Sequence, residues 1–427
     1  MRLTSIGWNL VGLGGPLITA AITIPVLISR IGMQRFGLLS LAWGLVGFAG
    51  IFDLGVGRAT TQTIARLRGG NQLGQVPAVV KTATTLSFRT GFLGAILLSI
   101  AVLAGVQRYI KYDAWLDPEV TIAAYLLALT IPIQSISAMY RGVNEAFQNF
   151  RGISLVRVGL GLANFLGPYC VSRFSSNLAF MVFTLFSSRL LAYFLFRRLA
   201  NACIANELKG QKDEAFLRPA RDIARHLLSF GGWFTISSLV SPVLVLADRY
   251  LIGVLISATA VSAYSIPSYA VTQLLIVSGA ISGVAFPTLS SLVHSQPHGV
   301  NAVFRRWLFR VTALMLVVTA LCAILLPAIL PLWIGPSLPA ESVSIGQILC
   351  VGVLFNSIGG MYFAMLHARG RADLTAKLHL VELPLFLCTL YFLVTRFGLL
   401  GASFAWTGRM MLDTFLLWLA HRMYSRL

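Results

Sequence analysis

The sequence predicts an all-α integral membrane protein of about twelve spanning helices, in two six-helix lobes related by a parallel repeat. Three observations lead there. Of the 427 residues 57% are apolar and only 11% charged, where a soluble domain carries roughly 25% charge. The apolar residues gather in runs long enough to cross a bilayer, which takes roughly 20 residues. Lysine and arginine collect in alternate connecting segments, the bias that places loops in the cytoplasm. That composition excludes an ordinary water-soluble globule and a disordered chain.

The runs give spans near 6–28, 37–58, 83–106, 120–140, 153–172, 178–196, 230–254, 262–286, 308–333, 343–366, 378–395 and 399–420. The first follows Arg2 and is too long for a signal-peptide core, so it reads as a retained span. Arg66, Arg68, Lys81, Arg141, Arg151, Arg305, Arg306, Arg369, Arg371, Arg422 and Arg426 fall in cytoplasmic segments if the N-terminus is inside. Both termini are then cytoplasmic, in a multi-pass membrane protein. The domains read as an N-terminal lobe, 1–205, a cytoplasmic linker, 206–229, and a C-terminal lobe, 230–427. Within the linker, Arg218–Leu228 sets Ile223, Leu227 and Leu228 against basic residues. It is either a helix lying on the inner membrane surface or a solvated basic linker.

The halves look duplicated. An offset of 226 residues places Trp8 on Phe234, Pro16 on Pro242, Gly57 on Gly283 and Ala138-Met139 on Ala364-Met365. Pro16 and Pro242 are expected to bend the first and seventh spans, since proline frees backbone carbonyls.

The net charge of +19 follows from cytoplasmic loops and does not point to nucleic acid. Cys170, Cys203, Cys322, Cys350 and Cys388 are far apart, with no CxxC, so neither a disulfide framework nor a metal site is expected. The six histidines show no metal-ligand spacing, and no nucleophile–base set is readable. No enzyme, cofactor or metal is expected.

Charge inside a span costs at least ~2.5 kcal/mol at the helix centre, so each such residue asks for a reason. Arg58, Arg89, Arg157, Arg189 and Arg409 are candidates to line a cavity and hold an anionic substrate, because the guanidinium fork suits phosphate. Arg157 and Arg409 also lie near enough to the cytoplasmic side to snorkel. Asp53, Asp248, Arg249 and Glu382 are candidates for ion coupling or gating. Asp248-Arg249 would serve equally as an interfacial anchor, Asp53 as a partner of Arg89, and Glu382 as a neutral buried carboxyl.

The stretch Pro25-Val-Leu-Ile-Ser-Arg-Ile-Gly32-Met-Gln-Arg-Phe36-Gly37, followed by Asp53-Leu-Gly-Val-Gly57, resembles the opening of bacterial oligosaccharide flippases. These form the polysaccharide transporter family of the multidrug/oligosaccharidyl-lipid/polysaccharide exporter superfamily. Asp248-Arg249-Tyr-Leu-Ile-Gly253, Ala263-Tyr264 and Arg141-Gly142…Gln148-Asn149-Phe150 resemble further family segments. No strong second-half copy of the Leu-Gly-x-x-x-Tyr-Gly segment is present.

The resemblance implies two lobes about a central cavity and alternating access. The implied cargo is an undecaprenyl-pyrophosphate-linked oligosaccharide repeat unit, moved from inner to outer leaflet for surface polysaccharide such as O-antigen or exopolysaccharide, with coupling to an ion gradient. Implied partners are the lipid-linked oligosaccharide, membrane lipid, and polysaccharide polymerase and chain-length proteins, for a functional monomer. The alternatives are a cation-coupled multidrug exporter of the same superfamily and a membrane glycan polymerase or ligase. The polymerase would need a larger outer loop than 107–119.

The charge bias makes a direct prediction. A reporter active only in the periplasm should stay silent when fused after Arg2 or Arg426 and become active when fused within 107–119. Activity at either end would overturn the orientation.

Overall fold

The computed structural model describes residues 3–48, 53–70, 72–208, 223–224, 243–295, 297–335 and 338–424. Among these the chain is helical without strands. In chain order the helices are α1 (Leu3–Phe48), α2 (Val56–Gly69), α3 (Val76–Leu103), α4 (Asp117–Ala146), α5 (Phe150–Val171) and α6 (Leu178–Leu208). After them come α7 (243–255), α8 (Ala258–Thr272), α9 (Leu275–Ser295), α10 (Pro297–Ile334), α11 (Glu341–Ala368) and α12 (Ala372–Tyr424). Nine helical stretches among the described residues are long and apolar enough to cross a membrane.

Two of those stretches each cover two spans read from the sequence. In α1 the helix is broken at Gly32, with φ 79° and ψ 163°. In α12 it is broken at Gly398, with φ 58° and ψ −134°. Both φ values lie where glycine is at home and other residues are strained, so each break needs its glycine. Pro16 and Pro25 stay inside α1, and the departure from helical geometry falls at Gly32 rather than at Pro16. The amphipathic linker segment, Pro242 and most of the seventh span lie outside the described residues. The eighth span also divides, between α8 and α9, around Gln273-Leu274.

The chain separates into two compact units, Met1–Pro242 and Val243–Leu427. In the first unit α4 packs against α3, α6 and α2, while α1 packs against α5. Its core joins Val56, Ile64, Val79, Met139, Val143, Ile153 and Phe196, all buried. Small residues let these helices close up. A Cβ on Gly142 would collide with the carbonyl oxygen of Gly57, and one on Gly161 would lie 2.5 Å from Pro16 Cγ. In the second unit α11 lies along α12. Thr407 and Thr414 donate to the carbonyls of Ile348 and Phe355 at 3.0 and 2.7 Å, and Gly352 sits under the Trp406 ring. This is packing through small residues with hydroxyls bonded across the seam, the mode helices use in lipid.

The outward faces are apolar. Phe88, Phe92, Leu93, Ile96, Leu97 and Ile100 of α3 are exposed, as are Leu316, Val317, Leu321 and Ile324 of α10. In water such faces would be a liability; against acyl chains they are the expected surface. Charge gathers where helices end. Arg35 binds Glu119 with both forks (2.7 and 3.1 Å), and Glu119 also accepts from the backbone N–H of Leu178. Arg68 does the same with Glu207 (2.5 and 3.0 Å) and donates to the carbonyl of Ala146 at 2.6 Å. In the 107–119 loop, burial and then the Asp117 carboxylate push the Tyr112 hydroxyl up from its ordinary pKa.

Shifted by 226 residues, the Gly32 break falls at the start of α8, Ala258, and the end of α5, Val171, falls at Phe397, next to the α12 break.

The Gly142–Gly57 approach predicts an overpacking penalty. Gly142→Val should lower the thermal unfolding midpoint of the detergent-solubilised chain, by a destabilisation of about 1–3 kcal/mol, while the same change at Gly47, where a Cβ meets nothing within 4 Å, should not. Equal midpoints would show that the crossing is loose.

Candidate functional site

In the second unit a set of ionisable side chains meets among α7, α8 and the two arms of α12. Asp248 of α7 is 3% exposed. One of its oxygens accepts from the Tyr264 hydroxyl of α8 at 2.7 Å, and the other from the Arg249 backbone N–H at 2.7 Å. Arg249 lies over the Tyr269 ring, 4.5 Å from its centroid, and donates Nη1–H to the Tyr269 hydroxyl at 3.1 Å. The Asp-Arg pair and the following Ala-Tyr segment, separate in sequence, are thus one constellation. Two tyrosines of α8, five residues apart, satisfy neighbours on α7.

Beside it stands Arg409 on the second arm of α12. Its Nη1 donates to the carbonyl of Leu244 on α7 at 3.0 Å, its guanidinium lies 5.2 Å from the Phe386 ring centre, and its Nε is 3.9 Å from Oε2 of Glu382. Glu382, on the first arm, is 1% exposed. Asp413 is one turn beyond Arg409, and its Oδ1 is 3.9 Å from Nε2 of His379. His379 and Glu382 are three apart on the first arm and so share a face. Side-chain oxygens of Glu382 and Asp413 are buried without a hydrogen-bond partner.

Glu382, Arg409, Asp248 and Arg249 were singled out by their place in apolar runs, and the structure brings them together. His379 was passed over because its spacing to other histidines is uninformative. The signal was there: Glu382 lies 16 residues before Gly398 and Asp413 lies 15 after it. A hairpin turning at Gly398 therefore sets them level.

The first unit treats its charges differently. Arg189 of α6 is 8% exposed. Its Nη2 donates to Asn164 Oδ1 on α5 at 2.7 Å, and the Asn164 carbonyl accepts from Trp43 of α1 at 3.1 Å. Its Nε has no partner, and among the described residues no carboxylate forms an ion pair with it. Asp53 precedes α2 and accepts from the backbone N–H groups of Gly55 (2.7 Å) and Gly57 (3.3 Å). Leu54 and Gly55 carry positive φ there. Arg141 and Arg58 bear on this carboxylate electrostatically; Arg89 is not among its partners. Arg58, Arg89 and Arg157 are exposed. Arg89 lies in the middle of the apolar arc of Phe88, Phe92, Leu93 and Ile96.

In chemical terms, the second unit offers buried carboxylates and an imidazole beside a guanidinium, which suits holding and releasing a cation. The first offers a buried guanidinium bound only to neutral partners, which keeps its full charge for an anion.

Comparison with known proteins gives the family and the fold. The family model for polysaccharide biosynthesis proteins matches residues 3–293. A Shigella flexneri protein named for O-antigen transport is 29% identical over 420 residues, covering 98% of this chain and 97% of that one. Among solved structures, an inward-facing multidrug resistance MATE family transporter of the MOP superfamily is similar at TM-score 0.78 and 16% identity, over 98% of each chain. The lipid II flippase MurJ in an inward closed conformation is similar at TM-score 0.72 and 11% identity, over 98% of this chain and 87% of that one. At those identities the structural likeness speaks for the fold alone. The multi-pass helical chain, with the fold of MOP superfamily transporters, belongs to the polysaccharide biosynthesis protein family.

Proposed function

We propose that this protein is a flippase that carries an undecaprenyl-pyrophosphate-linked oligosaccharide repeat unit from the inner to the outer leaflet of the cytoplasmic membrane, by alternating access and without catalysing a covalent step. The observation that carries the reading is the end-to-end relationship to a protein named for O-antigen transport. The lipid II flippase among the structural relatives is consistent with it.

The chemistry of the chain fits that cargo. A diphosphate needs cations that stay charged out of water, and arginine does so. Arg189 meets the condition most fully: it is buried, and its hydrogen-bond partner is a neutral amide. Arg58, Arg89, Arg157 and Arg409 are the further candidates for contact with pyrophosphate or sugar. Asp248, Arg249 and Glu382 are the coupling candidates, while Asp53, bonded to two backbone N–H groups, serves gating through the turn it fixes before α2. An exporter of organic cations would need acid where α1 has none between Leu3 and Phe48.

Loss of the gene should remove the surface glycan and accumulate its lipid-linked precursor on the inner leaflet. Arg189→Gln, at matched protein abundance, should lower glycan export by an order of magnitude or more, and Arg189→Lys should retain part of it. Unchanged export in Arg189→Gln would leave this arginine a packing role only. A precursor that does not accumulate in the deletion strain, together with altered drug sensitivity, would overturn the flippase reading itself.

A further inference from the structure

We propose that His379, Glu382 and Asp413 form a binding site for one divalent transition-metal cation of the zinc, manganese or cobalt class, held between the two arms of α12. The three side chains each offer a donor atom, and these atoms lie within 4.8 Å of one another. Glu382 is 1% exposed, and neither of its oxygens has a hydrogen-bond partner. Asp413 Oδ1 is likewise buried and without a partner. Two carboxyls facing each other in a membrane span are held together by a shared proton or by a cation, and the imidazole beside them adds the donor that a cation would use.

Arg409 is the nearest resident cation and does not fill that gap. Its Nη1 is taken by the Leu244 carbonyl, and its Nε stands 3.9 Å from Glu382 Oε2, beyond hydrogen-bond reach. His379 presents Nε2 towards Asp413 at 3.9 Å, and its ring runs parallel to Phe363, with centroids 6.5 Å apart and planes 14° apart. Glu382 sits one turn further along the same face of the arm, so the helix presets two donors and the facing arm supplies the third.

The donor set chooses the class of ion. One imidazole nitrogen with two carboxylates suits zinc, manganese or cobalt, whereas alkali and alkaline-earth ions favour oxygen alone. Donor distances for zinc are about 2.0–2.2 Å, so donors that lie up to 4.8 Å apart here would draw together by side-chain rotation on binding. Charge gives a second argument. With all three carboxyls ionised, as metal binding requires, and the imidazole neutral, Asp248, Glu382 and Asp413 against Arg249 and Arg409 leave the neighbourhood one negative charge in excess. A divalent ion turns that into one positive, which leaves its open coordination position suited to water or an anionic group.

The test uses the full chain without an affinity tag, purified in detergent, stripped with chelator and dialysed against zinc, manganese or cobalt chloride. Wild type should retain an equimolar amount of at least one metal by elemental mass spectrometry and unfold at a higher temperature with it than without. Glu382→Gln should lose the bound metal, and His379→Ala should also shift the visible absorption bands of the cobalt form. If Glu382→Gln elutes as an aggregate, His379→Ala and wild type carry the decision. Wild type that retains none of the three metals, or is stabilised only by sodium or by acidification, overturns the proposal, as does a folded Glu382→Gln that keeps its metal.

Discussion

Hydrocarbon supplies no water to repair an unpartnered polar group, and most of what is particular to this chain answers that constraint. Asp248 is held by a tyrosine hydroxyl and its neighbour's backbone N–H, and Arg409 by a main-chain carbonyl. Asp53 spends both oxygens on the N–H groups that open α2, groups a helix start leaves without intrahelical partners. Each of these hydrogen-bond partners is a neutral group, while Arg249 and Arg409 near Asp248, and Glu382 near Arg409, act on the charges from further away.

Close helix approach makes such arrangements possible. Side chains meet at hydrogen-bond distance only where backbones come near, and the glycines and threonines achieve that. Thr407 and Thr414, seven residues apart, bond to Ile348 and Phe355, also seven apart, which fixes the register of α11 against the arm carrying Arg409 and Asp413. In the first unit Gly57 and Gly142 bring α2 against α4, beside the turn that Asp53 closes. The rigid seams and the ionic groups are adjacent in both units, so the charged residues sit on well-held frames rather than on loose segments.

The fold class was legible because apolar run length and lysine–arginine placement are direct records of the bilayer. The way spans join was less so: the runs 6–28 and 37–58 read as separate spans, and the helical segments on either side of Gly32 meet at that one glycine. Periodicity cannot tell a loop from a single left-handed residue. The partnership of Asp248 with Tyr264 was visible only as two neighbouring family-like segments, because hydrogen bonds between side chains sixteen residues apart leave no spacing rule. Depth along a run says nothing about direction around the helix: Arg89 shares its arc with phenylalanine and leucine. No spacing within one stretch marks His379, because its neighbours Glu382 and Asp413 come together only across a helical hairpin.

The break at Gly398 has a consequence for biogenesis. Each arm of α12 carries ionised groups that a lone segment would bring into lipid at a cost of roughly 2.5–3.5 kcal/mol apiece near its centre. A tight reversal lets the arms leave the translocon as a pair, with Glu382 and Arg409 already facing each other. Substituting a bulkier residue at the corner would therefore interfere first with co-translational partitioning, before any effect on the finished transporter.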